Sequence, residues 1–200
     1  MKNALRLRSQ IVVFVVASAL MAAAQRSGFQ IDPAQSTVKF TLDAALHAVH
    51  GTFRVQPGAL QFDPSSGQIS GEIMVDTKSA ETGNGMRDRK MHKDVLESDR
   101  YPEISFRPER IEGAVKSSGK SSVSVHGSFQ LHDVNREITV PAEVEMSGDR
   151  WTAVVHFTIP YQKWGLKNPS TLFLRVSDLV QIDLVVTGSV VQQTSNGATQ

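Results

Sequence analysis

Histidine and carboxylate side chains are the groups in this 200-residue chain that could bind a metal ion or move a proton. His47 and His50 are three residues apart, which places them on opposite faces of an unbroken strand. The other histidines fall on polar strand faces or in a charged segment, where we expect them to be solvated: His92, His126, His132 and His156. Because no pair has helical i, i+4 spacing beside an acid, the sequence predicts no metal site.

The carboxylates give no catalytic pattern either. Four of them cluster in a segment that also carries Lys and Arg, which is typical of a self-neutralised surface: Asp88, Asp94, Glu97 and Asp99. No G-x-S-x-G nucleophile motif is present. The chain has no cysteine, which excludes a thiolate nucleophile, a disulfide and a Cys-based zinc site. We therefore predict no catalytic residue, no cofactor and no enzyme activity.

The first 24 residues have the composition of a secretory signal peptide. Lys2, Arg6 and Arg8 are followed by the apolar run 11–24, which ends in three alanines. Fourteen residues are too few to span a bilayer, which needs about 20. We predict cleavage after Ala24 and a periplasmic or secreted protein; the alternative is an uncleaved membrane anchor.

Charge is nearly balanced once this segment is set aside. It holds three cations and no acid, so residues 25–200 carry 18 basic and 20 acidic side chains, a net charge of −2. A nucleic-acid-binding surface needs a basic face, so we predict no nucleic-acid partner. The same balance argues against a polybasic patch that binds membrane surfaces.

Most of the remaining chain alternates between apolar and polar residues. Val38, Phe40 and Leu42 alternate with polar neighbours, and the same period runs through residues 69–75, 104–106, 123–131, 138–146, 151–159 and 172–186. This period predicts half-buried antiparallel strands. Turn-forming residues separate the strands at 63–67, 117–120 and 147–150. About eight short strands predict a sandwich or a barrel, and the period alone does not distinguish the two.

Two segments depart from the strand pattern. Asn84 is a candidate helix cap, and residues 86–96 form a charged stretch with Met91 and Val95 four apart. We predict a short amphipathic helix there, lying on the barrel or over its mouth. The polar residues 191–200 are predicted to be a disordered tail, which leaves one domain over residues 25–190.

The apolar faces mix large and small residues, which bears on ligand binding. Phenylalanines share the inward positions with small residues, which are Gly71, Gly127, Ala142 and Ala153. An eight-stranded barrel is just wide enough to fill with side chains or to hold one small ligand, and both interpretations stay open. If a ligand binds inside, the predicted lining residues are Val38, Phe40, Leu42, Phe53, Ile73, Phe106, Gly127, Phe129 and Phe157.

No Lys or Arg falls on an inward strand position. Arg54, Arg107 and Arg175 all have outward parity. A buried charge without a partner is costly, so a fatty acid enclosed whole is disfavoured. A neutral chain, or a lipid whose charged head stays at the mouth, is the predicted ligand.

Five segments in chain order resemble the YceI-like polyisoprenoid-binding proteins. Residues 82–88 (TGNGMRD) resemble the family's T-G-N-x-x-R-D, and residues 101–106 (YPEISF) resemble its Y-P-x-I-x-F strand. Similar segments occur for its I-D-x-x-x-S opening, its G-x-L-x-x-x-G-V-x-x segment and its V-S-D-x-V-x-I strand: residues 31–36, 127–136 and 176–182. The second of these departs from the pattern at Asp133, where the family commonly has glycine. The resemblance covers about Phe29 to Val190.

The resemblance implies an eight-stranded antiparallel, lipocalin-like β-barrel with a long isoprenoid chain in an apolar interior. It implies secretion to the periplasm or beyond and does not imply catalysis. It does not fix the lipid, because residues 159–169 replace the family's commoner stretch there. A homodimer is left open.

The leading prediction is therefore non-enzymatic carriage or sequestration of a polyisoprenoid or similar apolar lipid. The alternative is a secreted β-module that binds carbohydrate or protein on its surface. Tyr161, Trp164 and Trp151 could then supply stacking platforms. Trp151, however, shares the apolar parity of its strand.

Overall fold

The structure of the protein is a computed structural model that describes residues 27–170 and 175–192. The strands in these ranges are β1 (Ser27–Ile31), β2 (Thr37–Ala44), β3 (Val49–Val55), β4 (Ala59–Asp63), β5 (Gln68–Gly71), β6 (Ile73–Glu81), β7 (Glu103–Glu112), β8 (Gly119–Leu131), β9 (Val134–Ser147), β10 (Arg150–Ile159) and β11 (Val176–Gln192). The helical segments are α1 (Gly85–Lys90), a π-helical turn that continues it (Met91–Val95), and two 3₁₀ turns (Pro33–Gln35 and Tyr161–Trp164).

These strands form a closed antiparallel barrel with eight strands in each circuit. At one end the circuit is β2-β3-β6-β7-β8-β9-β10-β11, and β11 pairs back to β2. At the other end β1, β4 and β5 replace β2, β3 and β6, because β1 pairs with β11 and β5 pairs with β7. Three long strands are thus each interrupted once. Closure confirms the predicted eight-stranded barrel and excludes a sandwich.

The predicted turns are present between the strands that they separate. Between β4 and β5, the Asp63 carboxylate accepts a hydrogen bond from the backbone N–H of Ser65 at 2.9 Å, and Gly67 has φ +72°. The β9–β10 hairpin turns at Gly148, with φ +63°. Both glycines stand in the left-handed region, where a side chain is strained. Pairing of β9 with β10 stops at Ala142, next to Pro141, which cannot donate a ladder hydrogen bond.

The barrel has two distinct ends. We call one the helix end; it carries the β2–β3 hairpin tip, the segment between β6 and β7, the β8–β9 turn and the segment between β10 and β11. The opposite end carries the β4–β5, β7–β8 and β9–β10 connections. A hydrophobic cluster with buried aromatic residues lies at each end. Tyr161 and Trp164 pack at the helix end, and Trp151 packs with Ile31 and Val186 at the opposite end.

The predicted helix is confirmed, and its start follows from local hydrogen bonds. The Asn84 side chain accepts from the backbone N–H groups of Met86 and Arg87, which caps α1 as expected of an asparagine N-cap. No helix among residues 27–170 and 175–192 is long and apolar enough to cross a membrane.

Two predicted segments extend beyond the residues that the structure describes. The signal peptide prediction, residues 1–24, lies outside the described residues. The predicted tail starts two residues too early, because β11 continues to Gln192 and Val191 still pairs with Gly28. The rest of that tail, from residue 193, lies outside the described residues.

Candidate ligand cavity

The barrel is hollow. A cavity of about 560 Å³ runs from Phe29 and Trp151 near the opposite end to Met86 at the helix end. Small-molecule sites have volumes of roughly 300–1,000 Å³, so this space is large enough for a ligand. Of the two interpretations that the sequence left open, the structure favours a lumen over a filled core.

Eight of the nine predicted lining residues face this cavity. They are Val38, Phe40, Leu42, Phe53, Ile73, Phe106, Phe129 and Phe157. Five of the eight are only half-buried although they point inward: Leu42, Phe53, Ile73, Phe106 and Phe157. Since inward side chains of a closed barrel cannot face bulk solvent, their accessible surface faces the lumen.

Gly127, the ninth, does not line the cavity, and this part of the prediction is wrong. A Cβ atom at Gly127 would collide with the backbone oxygen of Arg107 and lie 2.8 Å from Cα of Pro108. The glycine is there because β7 approaches β8 closely at its bulge after Pro108. Gly71 has a similar reason, with φ +113° and the backbone of Ala59 in the way of a side chain.

Two inward alanines, unlike these glycines, leave space in the lumen. Ala142 and Ala153 both line the cavity, on the adjacent strands β9 and β10. The free volume beside them is therefore available to a ligand.

The cavity opens at the helix end. Met86 and Lys90 are the lining residues that are themselves exposed, and both belong to α1. Among the described residues, the charged side chains on the cavity wall are Arg87 and Lys90. Strand parity missed them because they lie on a helix, although the T-G-N-x-x-R-D motif marked Arg87. The wall is apolar along its length, with its cations at the mouth.

Hydrogen bonds to Thr82 fix the start of the mouth segment. Arg87 donates from Nε to the Thr82 hydroxyl at 2.7 Å and from a terminal nitrogen to the Thr82 carbonyl oxygen at 3.0 Å. The Asp88 carboxylate accepts from the backbone N–H of Thr82 at 3.0 Å and from its hydroxyl at 2.5 Å. Arg87 and Asp88 therefore hold the loop in shape, as charge-assisted bonds to backbone do.

Two histidines attach the same segment to the barrel. His92 donates from Nε2 to the carbonyl oxygen of Ala80 at 2.9 Å and accepts at Nδ1 from the Ser98 hydroxyl at 2.8 Å. His132 donates from Nε2 to the carbonyl oxygen of Leu96 at 2.9 Å and stacks on Tyr101. His132 is buried, so its expected solvation is wrong: it occupies the β8–β9 turn, with φ +53°, under that segment.

The aromatic residues considered for surface binding are buried. Tyr161 donates its hydroxyl to the carbonyl oxygen of Ser177 at 2.9 Å, and burial raises its pKa to about 12. Trp164 packs edge-to-face on Phe129, and Trp151 packs edge-to-face on Phe29. None of the three rings is available as a stacking platform for a sugar. Within residues 27–170 and 175–192, the indole N–H of Trp151 has no hydrogen-bond partner.

One group of side chains outside the barrel has metal-ligand spacing. Ligand atoms of Glu109, His126 and Glu137 lie within 4.8 Å of one another, and both glutamates are exposed. His126 Nδ1 is 2.9 Å from the Thr139 hydroxyl oxygen. Such exposed groups are common without an ion, and this one is separate from the cavity.

Comparisons with known proteins agree with this architecture. A crystal structure of BcnA from Burkholderia cenocepacia superposes with a TM-score of 0.65 at 22% identity, covering 78% of this chain and 98% of that one. A polyisoprenoid binding domain from Saccharophagus degradans, implicated in plant cell wall breakdown, superposes with a TM-score of 0.63 at 17% identity, covering 82% of this chain and 98% of that one. At these identities the likeness shows the fold.

Sequence relatives show the same family. A UPF0312 protein of Pseudomonas savastanoi pv. phaseolicola is 34% identical over 107 residues, which is 52% of this chain and 53% of that relative. The chain thus spans about half the length of the first curated relatives that it matches. The family model of the YceI-like domain matches residues 29–188, which is nearly the whole described barrel. The chain therefore belongs to the YceI-like domain family.

Proposed function

We propose that the protein binds a long apolar lipid, a polyisoprenoid or a similar chain, inside the barrel and carries or sequesters it without chemical change. The observation that carries the proposal is the hollow, apolar lumen with its cations at the helix end. Burying a hydrocarbon chain there stabilises the complex by about 0.8 kcal/mol per CH₂ group. The Saccharophagus degradans domain of the same fold, described as polyisoprenoid binding, supports this ligand class.

The distribution of charge supports a tail-first orientation. Any charged head group would lie near Arg87 and Lys90 at the mouth, where solvent is present. Among the residues that the structure describes, the wall deep in the lumen offers no cation to pair with an anion, and an unpaired buried charge is costly. The ligand is thus a neutral chain, or an amphiphile whose head stays at the mouth.

Export is part of the proposal. The basic start and apolar run of residues 1–24 support secretion, and the absence of cysteine is compatible with an oxidising compartment. N-terminal sequencing of the exported protein should begin at Gln25. A chain that still began at Met1 would restore the membrane-anchor alternative.

Native mass spectrometry tests the proposal. The full chain, purified from its own cells without detergent, should carry one lipid per barrel, and extraction should release an apolar chain. A protein that is always free of lipid, or that carries only a polar metabolite, contradicts the proposal.

A further inference from the structure

Exposed apolar side chains are concentrated around the mouth of the cavity. Leu46, at the tip of the β2–β3 hairpin, is 81% exposed, and Met86, in α1, is 74% exposed. Leu179 is 50% exposed and stands in the bulge that β11 forms between Val176 and Val180. Of the large apolar side chains exposed among the described residues, the remaining one is Val191 at the opposite end. Clustered exposed apolar residues mark an interaction site.

These three residues, which we call the rim, lie on neighbouring parts of one circuit. β2 pairs with β11 next to the hairpin tip, where Ala44 is opposite Val176. On the other side β3 pairs with β6, the strand that leads into α1. The rim therefore follows the edge of the opening rather than scattering over the barrel wall.

Cations accompany the rim on the helical segment. The exposed side chains of residues 86–95 are Met86, Arg89, Lys90, Lys93 and Asp94, three cations against one acid. The other acid of this segment and the two acids that follow it have partners. These are Asp88 with Thr82, Glu97 with Lys167 at 3.2 Å and Asp99 with Lys78 at 2.8 Å. The outer surface of the segment is thus locally basic, although the chain as a whole is nearly balanced.

We propose that the helix end docks reversibly on a bilayer that carries anionic head groups, with the mouth facing the membrane. Apolar side chains next to cations suit the boundary between acyl chains and anionic head groups. Three cations are fewer than the four to eight of a polybasic patch. Because so few cations hardly change the net charge of the chain, the overall charge balance did not reveal them. The physiological use of this surface, entry and exit of lipid, rests on the proposed function; the docking itself rests on the rim.

Vesicle co-sedimentation tests the docking with the full chain, both stripped of lipid and as purified. We expect partition onto mixed phosphatidylcholine–phosphatidylglycerol vesicles, weaker partition onto phosphatidylcholine alone, and loss of the difference at high salt. No partition onto either vesicle overturns the inference, and equal partition onto both overturns its electrostatic part.

The cation variant is Arg89→Gln with Lys93→Gln, since neither residue lines the cavity. Each cation near an anionic surface strengthens partition roughly fivefold, so the pair should weaken it roughly 25-fold. The matched control is Lys116→Gln with Lys120→Gln, two exposed lysines at the opposite end. An equal loss in the control overturns the orientation.

The apolar variant is Leu46→Ser with Leu179→Ser, which should weaken partition by roughly tenfold or more. Val191→Ser is its control and should leave partition unchanged. Analytical ultracentrifugation without vesicles shows whether the protein forms a dimer. If the apolar variant abolishes such a dimer, the rim is a contact between copies and the inference is overturned.

Lipid retention, measured on the same variants, separates this inference from the proposed function. Retained lipid without vesicle binding overturns the docking alone. Vesicle binding by a barrel that never holds lipid supports the docking and overturns the proposed function.

Discussion

Ala153 is a small residue at which a larger side chain can fill the lumen. It lines the cavity from the middle of β10. Ala153→Phe should lower lipid occupancy more than about tenfold while the melting temperature of the lipid-free protein stays the same or rises, since the ring occupies free volume. Native mass spectrometry and thermal unfolding measure the two effects.

Val154→Phe is the matched control for that substitution. Val154 is the next residue of β10 and has the outward parity, away from the cavity. The Val154→Phe substitution should therefore leave lipid occupancy unchanged. Unchanged occupancy in Ala153→Phe, with a loss of stability of about 1–3 kcal/mol, would mean that the space is a packed core.

Arg87 tests whether the mouth motif is structural. Arg87→Ala removes two charge-assisted hydrogen bonds to Thr82 and should cost about 1–3 kcal/mol, a fall in melting temperature of roughly 3–8 °C. Arg87→Lys keeps the charge but not the paired geometry, so it should be nearly as destabilised. Full rescue by lysine in thermal unfolding would show that charge, rather than loop geometry, is what Arg87 supplies.

Gly127 shows where residue-level prediction from sequence ends. Its inward parity is correct, and parity alone assigned it to the lumen. The reason for the glycine is the backbone of Arg107 and Pro108 on the neighbouring strand, which period-two alternation does not contain. A leucine at Gly127 would thus disrupt strand packing before it could obstruct a ligand.

At the scale of elements, the 3₁₀ turn Tyr161–Trp164 packs into the core at the helix end through a buried tyrosine. The pKa of Tyr161 is raised by burial to about 12, against about 10 for a free phenol. The contribution of this raised pKa to the free energy of unfolding is fully present below pH 10. It is lost as the pH rises from 10 towards 12, because the tyrosine ionises at a lower pH in the unfolded chain than in the folded one. Burial also raises the pKa of Tyr101, which acts in the same direction.

Tyr161→Phe isolates this effect. The variant loses the hydrogen bond to Ser177, about 1 kcal/mol at neutral pH, and should show a shallower fall in unfolding free energy between pH 10 and 12. Urea unfolding across that range measures it. The same slope in parent and variant would mean that Tyr161 does not titrate in this way.

Strands, turns and the helix start were the features most predictable from the sequence, because each depends on residues that are close together in the chain. Strand faces, the turns at Gly67 and Gly148 and the Asn84 cap all follow from side-chain period and backbone preference. The site residues at the mouth were less predictable. Arg87 and Lys90 reach the cavity because of how α1 sits on the barrel, which is a tertiary property. His132 is buried for the same kind of reason.

At the scale of the whole molecule, closure is what makes binding feasible. Interruptions in three long strands let β1, β4 and β5 form a second circuit of eight with the five strands that span both ends. A closed circuit leaves no strand edge and encloses the lumen, whereas a sandwich of the same strands would divide its phenylalanines between two sheets. Alternation along the sequence does not say which strands pair, so the lumen could not be predicted from it.

The central claim is that an apolar chain lies along the lumen with its tail at the end opposite the helix. Photo-crosslinking with polyprenol analogues tests it most directly, using one diazirine at the chain end and another beside the head group. The tail probe should label peptides that contain Phe29, Met146 or Trp151, and the head probe should label the peptide that contains Met86 and Lys90. Unlabelled polyprenol should suppress both. Labelling confined to outward residues, or no protected labelling, would contradict the account.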